Sequence, residues 1–139
     1  MKNNYLIFSI IFIFLFLSCK DKESSVPYAD VDIYINVNST QYIGLNSTGG
    51  WVYLTGGHRG IIVYRKSPEE FMAYERTCPY DPEKPTARVQ VESSGMTAID
   101  STCGSKFILI DGSVYSPPAT VSLKAYRTYF DGEVLHIYN

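Results

Sequence analysis

The sequence predicts an all-β domain, an antiparallel sandwich or barrel, on three observations. Aromatic residues are abundant, with 12 Tyr and 7 Phe in 139 residues, and aromatic and β-branched side chains favour sheet over helix. Apolar residues come in short or alternating runs separated by turn residues. No segment keeps a helical period over ten residues or more.

The elements follow in order. Val31, Ile33, Ile35 and Val37 alternate with Asp32, Tyr34 and Asn36, the pattern of a half-buried strand. Trp51 to Thr55 and Ile61 to Arg65 flank Gly56-Gly57-His58-Arg59-Gly60. This is a β-hairpin, since glycine supplies the positive φ that a tight connection needs. Ser67-Pro68-Glu69-Glu70 carries a capping box with Pro at the first helical position, long enough for one helical turn. Phe71 to Arg76 and Ala87 to Glu92 read as strands, and the segment between them, with Pro79, Pro82 and Pro85, as loop. Phe107 to Ile110 and Ser113 to Ser116 flank Asp111-Gly112; Lys124 to Phe130 and Glu133 to Tyr138 flank Asp131-Gly132. Both are predicted hairpins. Strands at this spacing predict one compact domain over residues 31–139.

The chain's 12 Lys and Arg against 14 Asp and Glu give a net charge of −2, which excludes a broad basic nucleic-acid surface. Hydrophobic residues make up 45%, too many for a disordered chain.

The first residues read as an address. Lys2 precedes an apolar run from Tyr5 to Leu17, short of the roughly 20 residues that a spanning helix needs. That run and the small residue after it fit a secretory signal peptide over residues 1–18. Phe16-Leu17-Ser18-Cys19 resembles a bacterial lipobox, with Phe in place of the usual Leu, and the resemblance implies that Cys19 is lipidated and begins the mature chain. A plain signal peptide with an incidental Cys is the alternative. Lys20 to Ser25 is polar and without apolar periodicity, so residues 19–30 read as a tether. The expected location is the bacterial cell envelope, anchored by lipid at the outer membrane, facing either the periplasm or the outside.

Two loops hold the remaining cysteines: Thr77-Cys78-Pro79-Tyr80-Asp81-Pro82 and Asp100-Ser101-Thr102-Cys103-Gly104-Ser105-Lys106-Phe107. With Ser116-Pro117-Pro118-Ala119 and the final hairpin, they resemble the frame of the Rieske-type [2Fe–2S] domain family. That family sets C-x-H in one loop and C-x-x-H-G-S-x-F in the second, followed by a proline loop over the cluster. The resemblance implies a Rieske-like fold over most of the mature chain. It places Cys78 on the first Cys, Tyr80 on the first His, Asp100 on the second Cys and Cys103 on the second His. One ligand of four is kept, and oxygen donors suit an iron–sulfur cluster poorly. No cofactor is therefore expected. A [2Fe–2S] electron-transfer protein with non-standard ligands is the alternative.

The family frame implies that Cys78 and Cys103 lie within reach of one another, and in an oxidising compartment such a pair forms a disulfide. Cycling of that bridge is a third reading, against which stands the lack of a C-x-x-C motif. His58, in the glycine turn, and His136, opposite Arg127 if Asp131-Gly132 sets the register, read as structural. A zinc site from Cys78, Cys103, His58 and His136 has no short-spaced ligand pair. No nucleophile elbow or phosphate-binding loop is present, so no catalytic residue is expected. The implied partners are the membrane, through the lipid, and an envelope protein of unspecified identity.

Overall fold

The computed structural model describes residues 26–139, and the expected signal peptide and Cys19 lie outside them. Nearly all regular structure in these residues is antiparallel β. The alternation after Val31 forms β1 (Asp32–Asn36), with Ile35 buried and Asp32, Tyr34 and Asn36 exposed. β2 (Trp51–Leu54) and β3 (Ile61–Arg65) make the expected hairpin around the glycine turn, pairing Trp51 with Tyr64 and Leu54 with Ile61. β4 (Phe71–Glu75) continues the meander.

β9 (Ala125–Phe130) and β10 (Val134–Tyr138) complete a six-stranded sheet in the order β1-β10-β9-β4-β3-β2. A second, four-stranded sheet runs β5 (Gln90–Val91), β6 (Thr97–Ile99), β7 (Lys106–Ile108) and β8 (Val114–Ser116).

The six-stranded sheet curls around one core, formed by Ile35, Leu45, Ile61, Val63, Phe71, Leu135 and Ile137 among others. The second core lies between the opposite face of β3–β4 and the small sheet, and contains Ile62, Tyr74, Ala98, Phe107 and Leu109. β3 is therefore covered on both faces, which is why Ile61-Ile62-Val63-Tyr64 is apolar without alternation, and all four residues are buried. Each fully buried aliphatic side chain there contributes about 1.5–3 kcal/mol.

Several local expectations change. Ser67–Glu70 forms the β3–β4 hairpin loop rather than a helical turn. The Ser67 hydroxyl does accept from the Glu70 amide at 3.1 Å, as in a capping box, but the Ser67 amide donates to the Glu70 carbonyl at 3.1 Å and closes the hairpin. The helical turn lies instead at Thr40–Leu45, a 3-10 segment capped by Ser39. β5 is only two residues long, because Val89 and Ala87 are drawn into the second core and the Val89 amide bonds the Arg76 carbonyl. β6 was not foreseen.

The last hairpin is shifted as well. Asp131 Oδ1 accepts from the amides of Glu133 and Val134 at 2.9 and 2.7 Å, which moves the turn onto Gly132-Glu133. His136 consequently faces Tyr129, not Arg127.

Candidate functional site

Cys78 follows β4 and is fully buried; its amide donates to the Ala87 carbonyl at 3.2 Å. Cys103 lies in the tight loop between β6 and β7, where the Gly104 amide reaches back to the Asp100 carbonyl at 2.7 Å. Asp100 builds that loop. Its Oδ1 accepts from the Thr102 amide at 2.8 Å, and its Oδ2 lies 3.4 Å from the Cys103 sulfur. Ser105 Oγ stands 3.0 Å from the same sulfur and accepts from the Ala119 amide at 2.9 Å. The proline loop is thereby tied to the cysteine loop.

The two sulfurs are 3.9 Å apart, and both residues are free thiols here. One donor atom each from Cys78, Asp100 and Cys103 falls within a 4.8 Å span, two of the three residues buried. Tyr80 is not part of this group; it is about half exposed. Nor do the histidines join it. His58 Nδ1 lies 2.9 Å from Thr77 Oγ1, while His136 is stacked on Tyr34 and Tyr138 and paired with Asp32 at 2.6 Å. The structure does not assemble the four-residue zinc set.

Burial is the main influence on Cys78, and the Asp100 carboxylate and Cys103 thiol add to it. Together they push the Cys78 thiol far above its ordinary range, despite an opposing backbone hydrogen bond at Tyr80. A thiol held protonated is a poor nucleophile, so burial disfavours Cys78 as an attacking thiolate. The pair can be joined as a disulfide or deprotonated by a metal ion.

A second constellation lies on the other side of Thr77 and was missed from sequence. Glu75 is completely buried, and its carboxylate accepts from the amides of His58, Arg59 and Thr77 at 2.7, 2.9 and 2.9 Å, and from the hydroxyls of Thr77 and Tyr126 at 2.9 and 2.8 Å. Burial alone raises its pKa; the donors from His58, Thr77, Tyr126 and Arg59 outweigh burial and hold the carboxyl below its ordinary range. The glycine turn exists to wrap this carboxylate. Gly57 has φ +63°, and a Cβ there would collide with Glu75 Oε2. The Gly56-Gly57 pair signalled a turn, but nothing in the sequence tied that turn to a carboxylate 18 residues further on.

No family model matches the chain, and no curated protein matches it at a significant level.

Proposed function

We propose that this chain is an exported lipoprotein of the bacterial envelope, anchored through Cys19, with a Rieske-like domain that carries no cluster and serves a binding or structural role. The observation that carries the reading is the meeting of two loop tips through Cys78 and Cys103, whose sulfurs stand 3.9 Å apart. In an oxidising compartment these thiols lose two electrons and two protons to a thiol oxidant and form one S–S bond. The bridge then pins the loops that a cluster would otherwise pin.

The residues at the family's ligand positions do not suit a [2Fe–2S] group. That centre needs two thiolates on one iron and two imidazoles on the other. Here the two sulfurs that would serve different irons lie beside each other with a carboxylate, and Tyr80 stands apart and exposed. Electron transfer through such a centre is not part of this reading.

One distance favours a second reading. Two thiolates on a single tetrahedral zinc, each about 2.3 Å from it, would stand about 3.8 Å apart, close to the spacing here. Cys78, Cys103 and Asp100 would then hold one metal ion with an open fourth position.

Two measurements test these readings. Cys19→Ala is expected to release the chain from the membrane fraction, and unchanged membrane association contradicts the anchor. Metal and sulfide analysis of the purified full chain is expected to find neither. One zinc per chain without sulfide would favour the second reading, and about two irons with two sulfides would overturn both.

A further inference from the structure

Positive charge gathers at one place beside the glycine turn. The 56–60 turn, the end of β2 and the residues just past β4 frame an open cleft of about 470 Å³. Its lining includes Arg59, Arg76 and Arg88 and no acidic residue. A net charge of −2 for the whole chain conceals this local excess.

Arg76 is the unusual member, only 6% exposed. Its Nε donates to the Val89 carbonyl at 3.1 Å, and its guanidinium carbon lies 3.6 Å from the centre of the Tyr53 ring. The fork is therefore fixed in place, while its Nη atoms have no acceptor among the described residues. Arg88 is exposed and its side chain likewise has no hydrogen-bond or carboxylate partner among them. The two side chains meet over Gly60: a Cβ added there would lie 3.3 Å from both Arg76 Cδ and Arg88 Nη2. Arg59 closes the rim, held by a 3.0 Å bond from Nη1 to the Ala87 carbonyl.

Glu75, next to Arg76, does not supply the missing counter-charge in hydrogen bonds, because its two oxygens already serve five donors. The Arg76 Nη atoms are not among the buried atoms left without a partner and Arg76 lines the open cleft, so the fork faces that cleft beside a second guanidinium, where an oxyanion can meet both. Burial, and then Arg88, push Arg76 away from its charged form, while Tyr53 and Glu75 oppose this. The missing partner is an acceptor with geometry matched to a guanidinium fork.

We propose that this cleft binds an oxyanion, the phosphate, sulfate or carboxylate group of a small ligand, between Arg76 and Arg88. Gly60 leaves the floor open, so the anion can approach both guanidinium groups. The cleft volume is in the range of small-molecule sites and admits part of the molecule that bears the charge.

The test uses the full chain in detergent at constant ionic strength, with chloride replaced in turn by inorganic phosphate, sulfate and acetate. Backbone amide shifts of residues 56–60 are followed by NMR. At least one anion is expected to give a saturable shift in the millimolar range, and which one does so identifies the ligand's charged group. Arg88→Gln alters an exposed residue and leaves the core intact. It is expected to weaken binding about tenfold or more, whereas Arg127→Gln, away from the cleft, leaves it unchanged. The proposal is overturned if no anion exceeds chloride. It is equally overturned if Arg88→Gln binds as the parent does, or if Arg127→Gln weakens binding as much.

Discussion

In the six-stranded sheet the strands run four to six residues and pair in continuous register; in the four-stranded sheet they run two or three, and the β7–β8 pair contains a register shift. The large sheet rests on strand pairing and on a core of aliphatic and aromatic side chains. The small sheet has a core face of its own, but its loops are shaped by side chains bonding to backbone. Asp100 holds the Thr102 amide, Ser105 Oγ holds Ala119, and the Thr102 hydroxyl donates to the Thr86 carbonyl at 3.0 Å. Loops built that way have low cooperativity, and a covalent link is most valuable in such a region.

The comparison can be broken from either side, and the largest effect belongs to the large core. Phe71→Ala removes a ring that is 2% exposed and packed edge-on against Phe130. It is expected to cost about 3–5 kcal/mol and to lower protection across both sheets, read by denaturant unfolding and hydrogen exchange.

Reducing the proposed Cys78–Cys103 bridge in oxidised protein comes next. In the chain-entropy model a closed loop of about 26 residues is worth roughly 3.5 kcal/mol. Here the effect should be local: amides of β5 to β8 lose protection before those of β9 and β10. Uniform loss over both sheets would remove the distinction between them.

The Glu75 knot, which ties the 56–60 turn to β4 and β9 within the large sheet, ranks third. Glu75→Gln exchanges an acceptor for an amide whose NH₂ meets donors on every side, and is expected to cost about 2–3 kcal/mol. The pH dependence has a definite sign. The folded carboxyl titrates below its ordinary value of 4.5, so its contribution is fully present above that pH. It is lost as pH falls through the lower folded value. Acid unfolding of the parent should thus show a dependence that Glu75→Gln lacks.

The smallest effect is a gain. The Tyr74 hydroxyl is buried without a hydrogen-bond partner among the described residues, so Tyr74→Phe should raise stability by about 1 kcal/mol. A loss of stability would mean that the hydroxyl has a partner.

The contrast between the sheets also governs what could be read from sequence. β1, the β2–β3 hairpin, β4 and the final pair of strands were legible because each has four or more residues of clear periodicity or a Gly-marked turn. β6 was not, since Thr97–Ile99 offers three residues after Gly95, too few to show a period. The shift at Asp131 was hidden for another reason: an Asp side chain bonding its own turn competes with the Asp-Gly hairpin signal. At the candidate site, Cys78, Asp100 and Cys103 were singled out through their place in a loop frame. Glu75 and the three arginines were not, because apart from Thr77 beside Glu75 their partners lie 12 or more residues away in sequence and only the fold brings them together.

The central proposal is that Cys78 and Cys103 join the two loops covalently once the chain is exported. Alkylation of the denatured, unreduced full chain followed by peptide mass spectrometry tests it most directly. The account predicts no label on either residue and a linked peptide pair containing both, with two labels appearing only after reduction. Complete labelling of Cys78 and Cys103 without reductant, in protein taken from the envelope under air, would contradict it.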